Sequence, residues 1–494
     1  VGRRWRIMSA FSECLKKAVS KANISIVRLS ALSGVERSYI QKMLGDNRIP
    51  AEERTVSLLA QGLSLSSREE NDMLEAYRMT KLGAEVYYQR QDIGELLRCF
   101  DERTECRQPL VVSEGNVKLE LPGNINVIRQ RAHVLEAVRA LFSQEADREG
   151  DICIVCQPEN EDMLYCLEKL GKSKESGAVR HLICLDNTGC KWDYHNPNLR
   201  YLKNILPLLY YHDNYEFFYY YDSLGAHINE HSELPYYIIT SHYLCLMSYD
   251  YEEAVLTADA GMMDMYSRSF ERRLKMARPM LESMDVMENY MAAYISNEKI
   301  QNGNGEVFNM EAIPCLMPFM TKEILERCII TDVISMEEAM GLLDMDQHSL
   351  EKLNQQKSMS FFFSEEGVQQ FLEEGRVGTV PSSIYRPLEP EDRVWLLERL
   401  YQALEEESIT GYMVRSQLLS PLYHTHIEIT DRGQTLFFIQ NGEGKSKCIS
   451  LNEKNTSNAF YDYMEFLKTS DFVYERTKML DCLSGLLKKC KIKT

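Results

Sequence analysis

Residues 24–50, ISIVRLSALSGVERSYIQKMLGDNRIP, constrain the fold more than any other stretch of the chain. Apolar residues recur at helical spacing in Ile26–Ser33 and again in Glu36–Leu44, and Gly34 separates the two runs. A glycine at such a junction permits a left-handed backbone or a close approach that a side chain would prevent. The spacing predicts two short helices, with Leu29 and Leu32 of the first facing inward, Val35 packed beneath the second, and Ile40 and Met43 as its inward residues. The rest of the second helix is polar, and Arg37, Ser38, Gln41 and Lys42 lie on its outward face. An amphipathic helix precedes the pair at Phe11–Ala22 and two follow, at Thr55–Leu63 and Arg68–Met79, so an all-helical unit is expected over residues 1–83.

The residues Ser30-Ala31, Gly34-Val35, Arg37-Ser38-Tyr39-Ile40 and Arg48-Ile49-Pro50 give this stretch a pattern that resembles the Cro/lambda-repressor (Xre-like) helix-turn-helix family. The resemblance implies a domain that binds duplex DNA. It assigns Arg37, Ser38 and Lys42 to bases, Gln41 to bases or phosphate, and Asn47 and Arg48 to phosphate. The pattern departs from the family at Ile26, which stands where Gln usually braces the recognition helix and anchors phosphate.

Charge agrees with this division of labour. Residues 1–50 hold ten Lys or Arg against three Asp or Glu, a net of +7, whereas the whole chain carries −18. A basic head on an acidic body confines nucleic-acid contact to the head, because the body is repelled by phosphate. At 494 residues the chain exceeds a single core and is expected to divide into several domains. No apolar run approaches the roughly 20 residues needed to span a bilayer. The opening VGRRWRIM lacks an apolar segment after its basic residues and does not read as a secretory signal. Val1 points to a non-Met start codon, with Met8 the alternative start.

Fourteen dispersed cysteines fit a reducing compartment, and the location expected is the cytoplasm. Cys153 and Cys156 lie in the strand-like run DICIVC, where residues three apart point to opposite faces, so their sulfurs should not converge.

The body begins with a helical connector at Glu85–Phe100 inside a linking segment, residues 84–123. From residue 124 to 300, strand-like runs at Ile125–Ile128, Asp151–Cys156, Arg180–Leu185, Tyr215–Tyr221 and Tyr236–Met247 alternate with helical stretches at Gln130–Arg148, Glu161–Leu170 and Leu199–Leu208. That alternation predicts a central α/β domain for sensing or dimerisation, closed by a long helix at Asp259–Met284. After the turn signals of Gln301–Gly305, residues 306–494 read as a mixed helical domain with a small antiparallel sheet. Its helices are expected within Met310–Lys357, at Phe361–Arg376, at Pro390–Glu406 and within Asn458–Lys489, and its meander at Tyr423–Ile429, Gln434–Gln440 and Lys445–Leu451. The fold class is therefore multidomain α+β. No internal repeat is legible.

The segment from Tyr236 to Leu281, with two strands, an acidic loop and a helix carrying Phe270 and Arg278-Pro279, resembles phospholipase-D-like regions that serve as sensor domains in some regulators. Their chemistry requires His-x-Lys, with the His as nucleophile. None of the ten histidines here has Lys two residues on, which removes that route.

Other constellations also favour plain structure. Gly442-Glu-Gly-Lys-Ser446 ends like a phosphate-binding loop but is followed by a strand-like run, so it reads as a hairpin turn. His227 and His231, and His424 and His426, have spacings that can bind metal, against surroundings that read as loop and strand. The aromatic run Leu209–Asp222 either lines a ligand pocket or packs between sheet and helix.

The expectation is a cytoplasmic, bacterial-type transcription regulator without enzymatic activity, cofactor or metal. Its expected partners are double-stranded DNA, a second copy of itself as a homodimer, and a small-molecule or peptide effector, with no membrane. Two alternatives from other classes are a peptide-sensing receptor and an enzyme or toxin–antitoxin component that autoregulates through the same head.

Overall fold

The computed structural model describes all residues except 1–7, 99–123, 147, 149, 172–176, 187–194, 212–213, 223–232, 286–305, 356–357, 379, 416–424, 431–432, 441–445 and 494. The turns expected at Asp431–Gly433 and Asn441–Gly444, and the pair His227 and His231, therefore lie wholly or largely outside the described residues. The chain forms two compact units, Val1–Asp92 with Cys190–Asn196, and Ile93–Gly189 with Pro197–Thr494.

The first unit contains α1 (Ala10–Ala22), α2 (Ile26–Ser33), α3 (Arg37–Leu44), α4 (Glu53–Gly62) and α5 (Ser67–Leu82). Local chemistry sets where these helices begin. Ser9, Ser25 and Ser66 each cap a helix by accepting a backbone N–H, and Glu69 completes a capping box with Ser66. Gly34 ends α2 at φ +70°, as the spacing required. Phe11, Leu15, Leu29, Ile40, Met43, Val56, Leu59, Met73 and Tyr77 form the core.

Leu32 departs from expectation and is 58% exposed. The inward row of α2 runs through Leu29 and Ser33, one full turn apart, and α4 lies against that row. A Cβ added at Gly62 would come within 2.9 Å of Ser33 Cβ and 3.1 Å of Leu29 Cδ1. That close approach leaves no room to bury Leu32 on the same side.

A sixth helix, α6 (Ala84–Arg98), contributes Ile93, Leu96 and Leu97 to the core of the second unit. There follow β1 (Ile125–Arg129), α7 (Arg131–Ala146), β2 (Ile152–Val155), α8 (Glu161–Gly171), β3 (Val179–Asp186), α9 (Pro197–Tyr211) and β4 (Tyr215–Asp222). Next come β5 (Tyr236–Ile239), β6 (Leu244–Met247), β7 (Glu253–Thr257), α10 (Ala260–Leu274) and β8 (Arg278–Asp285). The remainder holds β9 (Val307–Met310), a 3-10 turn (Met317–Phe319), α11 (Lys322–Cys328), α12 (Met336–Gln355), β10 (Met359–Ser364), α13 (Glu365–Glu374), α14 (Pro390–Glu405) and β11 (Thr410–Val414). It closes with β12 (Thr425–Thr430), β13 (Gln434–Gln440), β14 (Ser446–Leu451), α15 (Lys454–Leu467) and α16 (Arg476–Lys493).

The architecture is mixed α/β, as expected, and the meander β12–β13–β14 is antiparallel as read. The sheet is larger than the sequence suggested. Among the described residues fourteen strands join in the order β1-β7-β6-β5-β2-β3-β4-β8-β14-β13-β12-β9-β10-β11. The seam is β8, antiparallel to both β4 and β14, so the segments 124–300 and 306–494 share one sheet.

The sheet also contains a repeat of topology. Strands β2, β3 and β4 are parallel, and an antiparallel meander β5–β6–β7 adds beside β2. Strands β9, β10 and β11 are likewise parallel, with β12–β13–β14 beside β9. Parallel neighbours require crossovers, which are single α-helices in the first half and pairs of α-helices, the first preceded by the 3-10 turn, in the second. The unequal crossover lengths leave no fixed period in the sequence.

Three segments correct the sequence reading. The long helix expected over Asp259–Met284 stops at Leu274, because Pro279 lacks an N–H and restricts Arg278 to extended backbone. Pro279 then sits in β8 opposite Phe218, where the β4–β8 register shifts, as an interior-strand proline demands. Within the expected helix Phe361–Arg376, Phe361–Ser364 belong to the fully buried strand β10, and Ser364 caps the helix that starts at Glu365. Strands β7, β9 and β11, at four or five residues each, had no reading as strands.

Candidate nucleic-acid interface and a buried acidic cluster

Helix α3 carries the candidate interface. Ile40 and Met43 anchor it in the core, and Ser12 Oγ donates a 2.6 Å hydrogen bond to Met43 O at its end. That bond ties α1 to α3 and fixes which side of α3 faces solvent. Arg37, Ser38, Gln41 and Lys42 are all exposed and form two rows one helical turn apart, Arg37 with Gln41 and Ser38 with Lys42. The Ser38 hydroxyl donates to Glu36, the residue before the helix, so it is engaged within the chain.

The turn after α3 is closed by three backbone bonds, Gly45 N to Gln41 O, Asp46 N to Met43 O and Asn47 N to Lys42 O. Asn47 and Arg48 follow directly and are exposed. Tyr39, which the sequence reading gave no role beyond the motif, braces this loop. Its hydroxyl donates to Ile49 O at 3.3 Å and accepts from Ala51 N at 3.2 Å, while the Arg48 guanidinium lies 5.4 Å from the ring centroid. The six residues assigned to DNA thus share one exposed, polar part of the unit. Ile26 is partly buried against the core, in keeping with an apolar residue in place of Gln.

The second unit holds two buried polar groupings of contrasting kinds. In the first half, His181 on β3 is fully buried, with Nε2 donating to Cys156 O at 2.8 Å and Nδ1 accepting from the Tyr215 hydroxyl at 2.5 Å. Burial lowers its pKa to about 4, so the ring stays neutral at pH 7. Cys156 Sγ lies 3.5 Å from His181 Nε2, but burial pushes the thiol up to about 12, which makes the pair inert as a nucleophile and base. Cys153 and Cys156 pack into different cores on opposite faces, and the alternating aromatics of β4 fill both.

In the second half, Glu311 just past β9, His426 and Glu428 on β12, and Asp346 on α12 form a cluster that the sequence reading missed apart from His426. The contact between His426 Nδ1 and Glu311 Oε2 is 3.6 Å, beyond hydrogen-bond reach. Both Glu311 carboxylate oxygens, His426 Nδ1 and the nearby Asn309 Oδ1 lack hydrogen-bond partners among the described residues. Burial, reinforced by the Glu428 carboxylate, raises the pKa of Asp346 to about 7. Burial also raises Glu428. For His426, burial opposes protonation, yet Glu311, Glu428 and Asp346 outweigh it and raise its pKa. The four residues span more than a hundred positions. The only local sign of them was the strand alternation that puts His426 and Glu428 on one face.

Among the described residues no group of three or more His, Cys, Asp or Glu is arranged to hold a metal ion. No described helix is long and apolar enough to cross a membrane. The strands flanking Gly442–Ser446 pair as a hairpin with Gln440 opposite Ser446, although 441–445 themselves lie outside the described residues.

No protein-family model matches the chain, and no curated protein matches it. Among solved structures, polyphosphate kinase from Porphyromonas gingivalis is similar over 74% of this chain and 56% of its own length, at 12% identity and a TM-score of 0.22. The chain thus spans little more than half the length of that protein. Phosphatidylserine synthase of Haemophilus influenzae is similar over 75% of this chain and 93% of its own, at 9% identity and a TM-score of 0.25. TrmBL2, an archaeal chromatin protein with a novel mode of DNA binding, is similar over 56% of this chain and 96% of its own, at 11% identity and a TM-score of 0.21. These TM-scores are too low for any of the three activities to be carried over.

Proposed function

We propose that the protein is a sequence-specific duplex-DNA-binding transcription regulator that reads its site with α3. The observation that carries this reading is the exposure of Arg37, Ser38, Gln41 and Lys42 on a helix whose opposite side is locked by Ile40 and Met43. A rigid helix with a polar outer row is what major-groove readout needs, since base edges are recognised by side chains held at fixed positions. In this reading Arg37, Lys42 and Ser38 contact bases, with Ser38 exchanging Glu36 for a base edge. Gln41 serves bases or phosphate, and Asn47 and Arg48 hold phosphate. The net +7 of residues 1–50 and the resemblance to Xre-like domains support it.

A single small head makes few base and phosphate contacts, so the functional form is a homodimer held by the body on an inverted repeat. In this reading the second unit serves assembly and control.

The test is selection of bound sequences from a random duplex pool by the full chain, followed by titration of variants on the selected site. Arg37→Ala should cost about 1–3 kcal/mol on that site and relax its sequence preference. Arg48→Ala should weaken all sequences alike and reduce the salt slope by about one. Recovery of no enriched sequence, or unchanged binding by Arg37→Ala with Lys42→Ala, would overturn the reading.

A further inference from the structure

The second unit contains a cavity of about 70 Å³, partly open to solvent, between α11, α12 and the residues Val377, Val380, Pro381, Ile384 and Tyr385. A single water needs about 10–15 Å³ on the same measure, so the space admits a slender ligand of several heavy atoms. Its wall is apolar, built from Met317, Met320, Leu343, Val377, Ile384 and their neighbours. The polar atoms near the wall are mostly occupied. The Tyr385 hydroxyl accepts from Val377 N and donates to Val377 O, and Cys328 Sγ donates to Leu325 O. Gln347 Nε2 donates to Met317 O and Met320 O and so fastens the 3-10 turn onto α12.

One charged side chain lines this cavity, Asp346. No hydrogen bond or ion pair holds its carboxyl among the described residues. The groups facing it from the elements packed around α12 are Glu428 and His426 on β12, Glu311 after β9, and Cys315 in the lead-in to the 3-10 turn. Three carboxyl groups surround one imidazole, so the electrostatic deficit at this end of the cavity is of positive charge. An unpaired carboxylate beside an apolar wall is costly, and a cation brought by a ligand would remove that cost. An anion would meet repulsion from all three acids.

We propose that this cavity is a binding site for an apolar amine, a ligand whose alkyl or aryl body fills the methionine- and leucine-lined space and whose single ammonium group pairs with Asp346. Binding then depends on pH through Asp346, whose carboxyl titrates at about 7, while an alkylammonium stays charged. The complex tightens as pH rises from 6 to 8. The site stands apart from the DNA-binding reading, since its occupancy is measured without DNA.

The experiment is isothermal titration calorimetry of the full chain with octylamine, and with octanol and octanoate as neutral and anionic counterparts, all below micelle-forming concentrations. Octylamine should bind with one-to-one stoichiometry, at least about tenfold more tightly than octanol at pH 8, and about tenfold more weakly at pH 6 than at pH 8. Octanoate should not bind at pH 8. Asp346→Asn should bind octylamine and octanol equally, with no pH dependence. Ala339→Trp, which fills the cavity from α12, should bind neither. Equal affinity of the wild type for octylamine and octanol, or no binding of either, overturns the proposal, as does an amine preference that survives Asp346→Asn. Should Asp346→Asn fail to fold by circular dichroism, Ala339→Trp decides, because octylamine binding that persists in it places the ligand elsewhere.

Discussion

The two halves of the body sheet share a topology and differ in how they treat a buried histidine and its neighbours. At the end of the first parallel strand stands Cys156 in one half and Glu311 in the other. In the first half the neighbouring ionisable group, His181, has both ring nitrogens satisfied, by a backbone carbonyl and a tyrosine hydroxyl. In the second half, Glu311 and His426 face each other beyond hydrogen-bond distance, with Glu428 and Asp346 adding like charge. A satisfied group confers rigidity, whereas an unsatisfied one lowers stability unless something else binds it. Among the described residues the first half also leaves Gln157 Oε1 and the Tyr237 and Tyr251 hydroxyls unpaired, so what sets the second half apart is that its unpaired atoms include those of a carboxylate and an imidazole.

The largest effect is expected at Gly367, where α13 meets the end of β9 in the second half. A Cβ there would stand 1.7 Å from Ala312 O, a backbone atom that Ser364 N also binds. Gly367→Ala should therefore cost about 4 kcal/mol or more in urea unfolding. A loss below about 1 kcal/mol would mean that this half is loosely packed, and that its unpaired acids reflect slack rather than a site.

His181→Ala should come next, at about 3 kcal/mol, because it opens a cavity and strands Tyr215 and the Cys156 carbonyl. The pH dependence has a definite sign. The folded pKa of His181, about 4, lies below the ordinary histidine value of about 6.5, so its contribution is complete above 6.5 and lost as pH falls from 6.5 towards 4. Wild type should lose stability across that window by an amount that the variant lacks. Parallel curves for the two proteins would show that His181 is not buried neutral.

Asp346→Asn should give the smallest change and the opposite sign, a gain of about 1–2 kcal/mol at pH 8 after allowance for the partial exposure of Asp346. The folded pKa of about 7 lies above the ordinary aspartate value of about 4, so the wild type is favoured below about 4 and loses stability as pH rises through 7. Thermal melts at pH 5 and pH 8 check it. A destabilised Asn variant at pH 8 would mean that the carboxylate is already compensated, and the contrast between the halves would disappear.

Much of the first unit was legible because its determinants are local. Gly34 at positive φ, the serine caps, and the 3.6-residue spacing of Leu29, Ile40 and Met43 each act within a few residues of where they stand. The outward row Arg37, Ser38, Gln41 and Lys42 followed from that spacing alone. Leu32 escaped because its burial depends on how closely α4 approaches through Gly62, which no property of α2 encodes. The meander β12–β13–β14 was likewise readable, since strand alternation and turn residues lie together in the chain.

What only the tertiary structure decided is non-local. Strands of four residues such as β9, or of five such as β7 and β11, are too short to show a period, and become strands because neighbours distant in sequence supply their hydrogen bonds. The seam that joins the halves pairs Leu281 with Leu451, and the acidic cluster brings Glu311, Asp346 and Glu428 together from three elements. Periodicity along the chain determined which segments became helices in the head and which residues they expose. The single sheet, its repeated topology and its unsatisfied acids depended on long-range pairing, whose loop-closure cost and geometry are properties of the whole fold rather than of any segment.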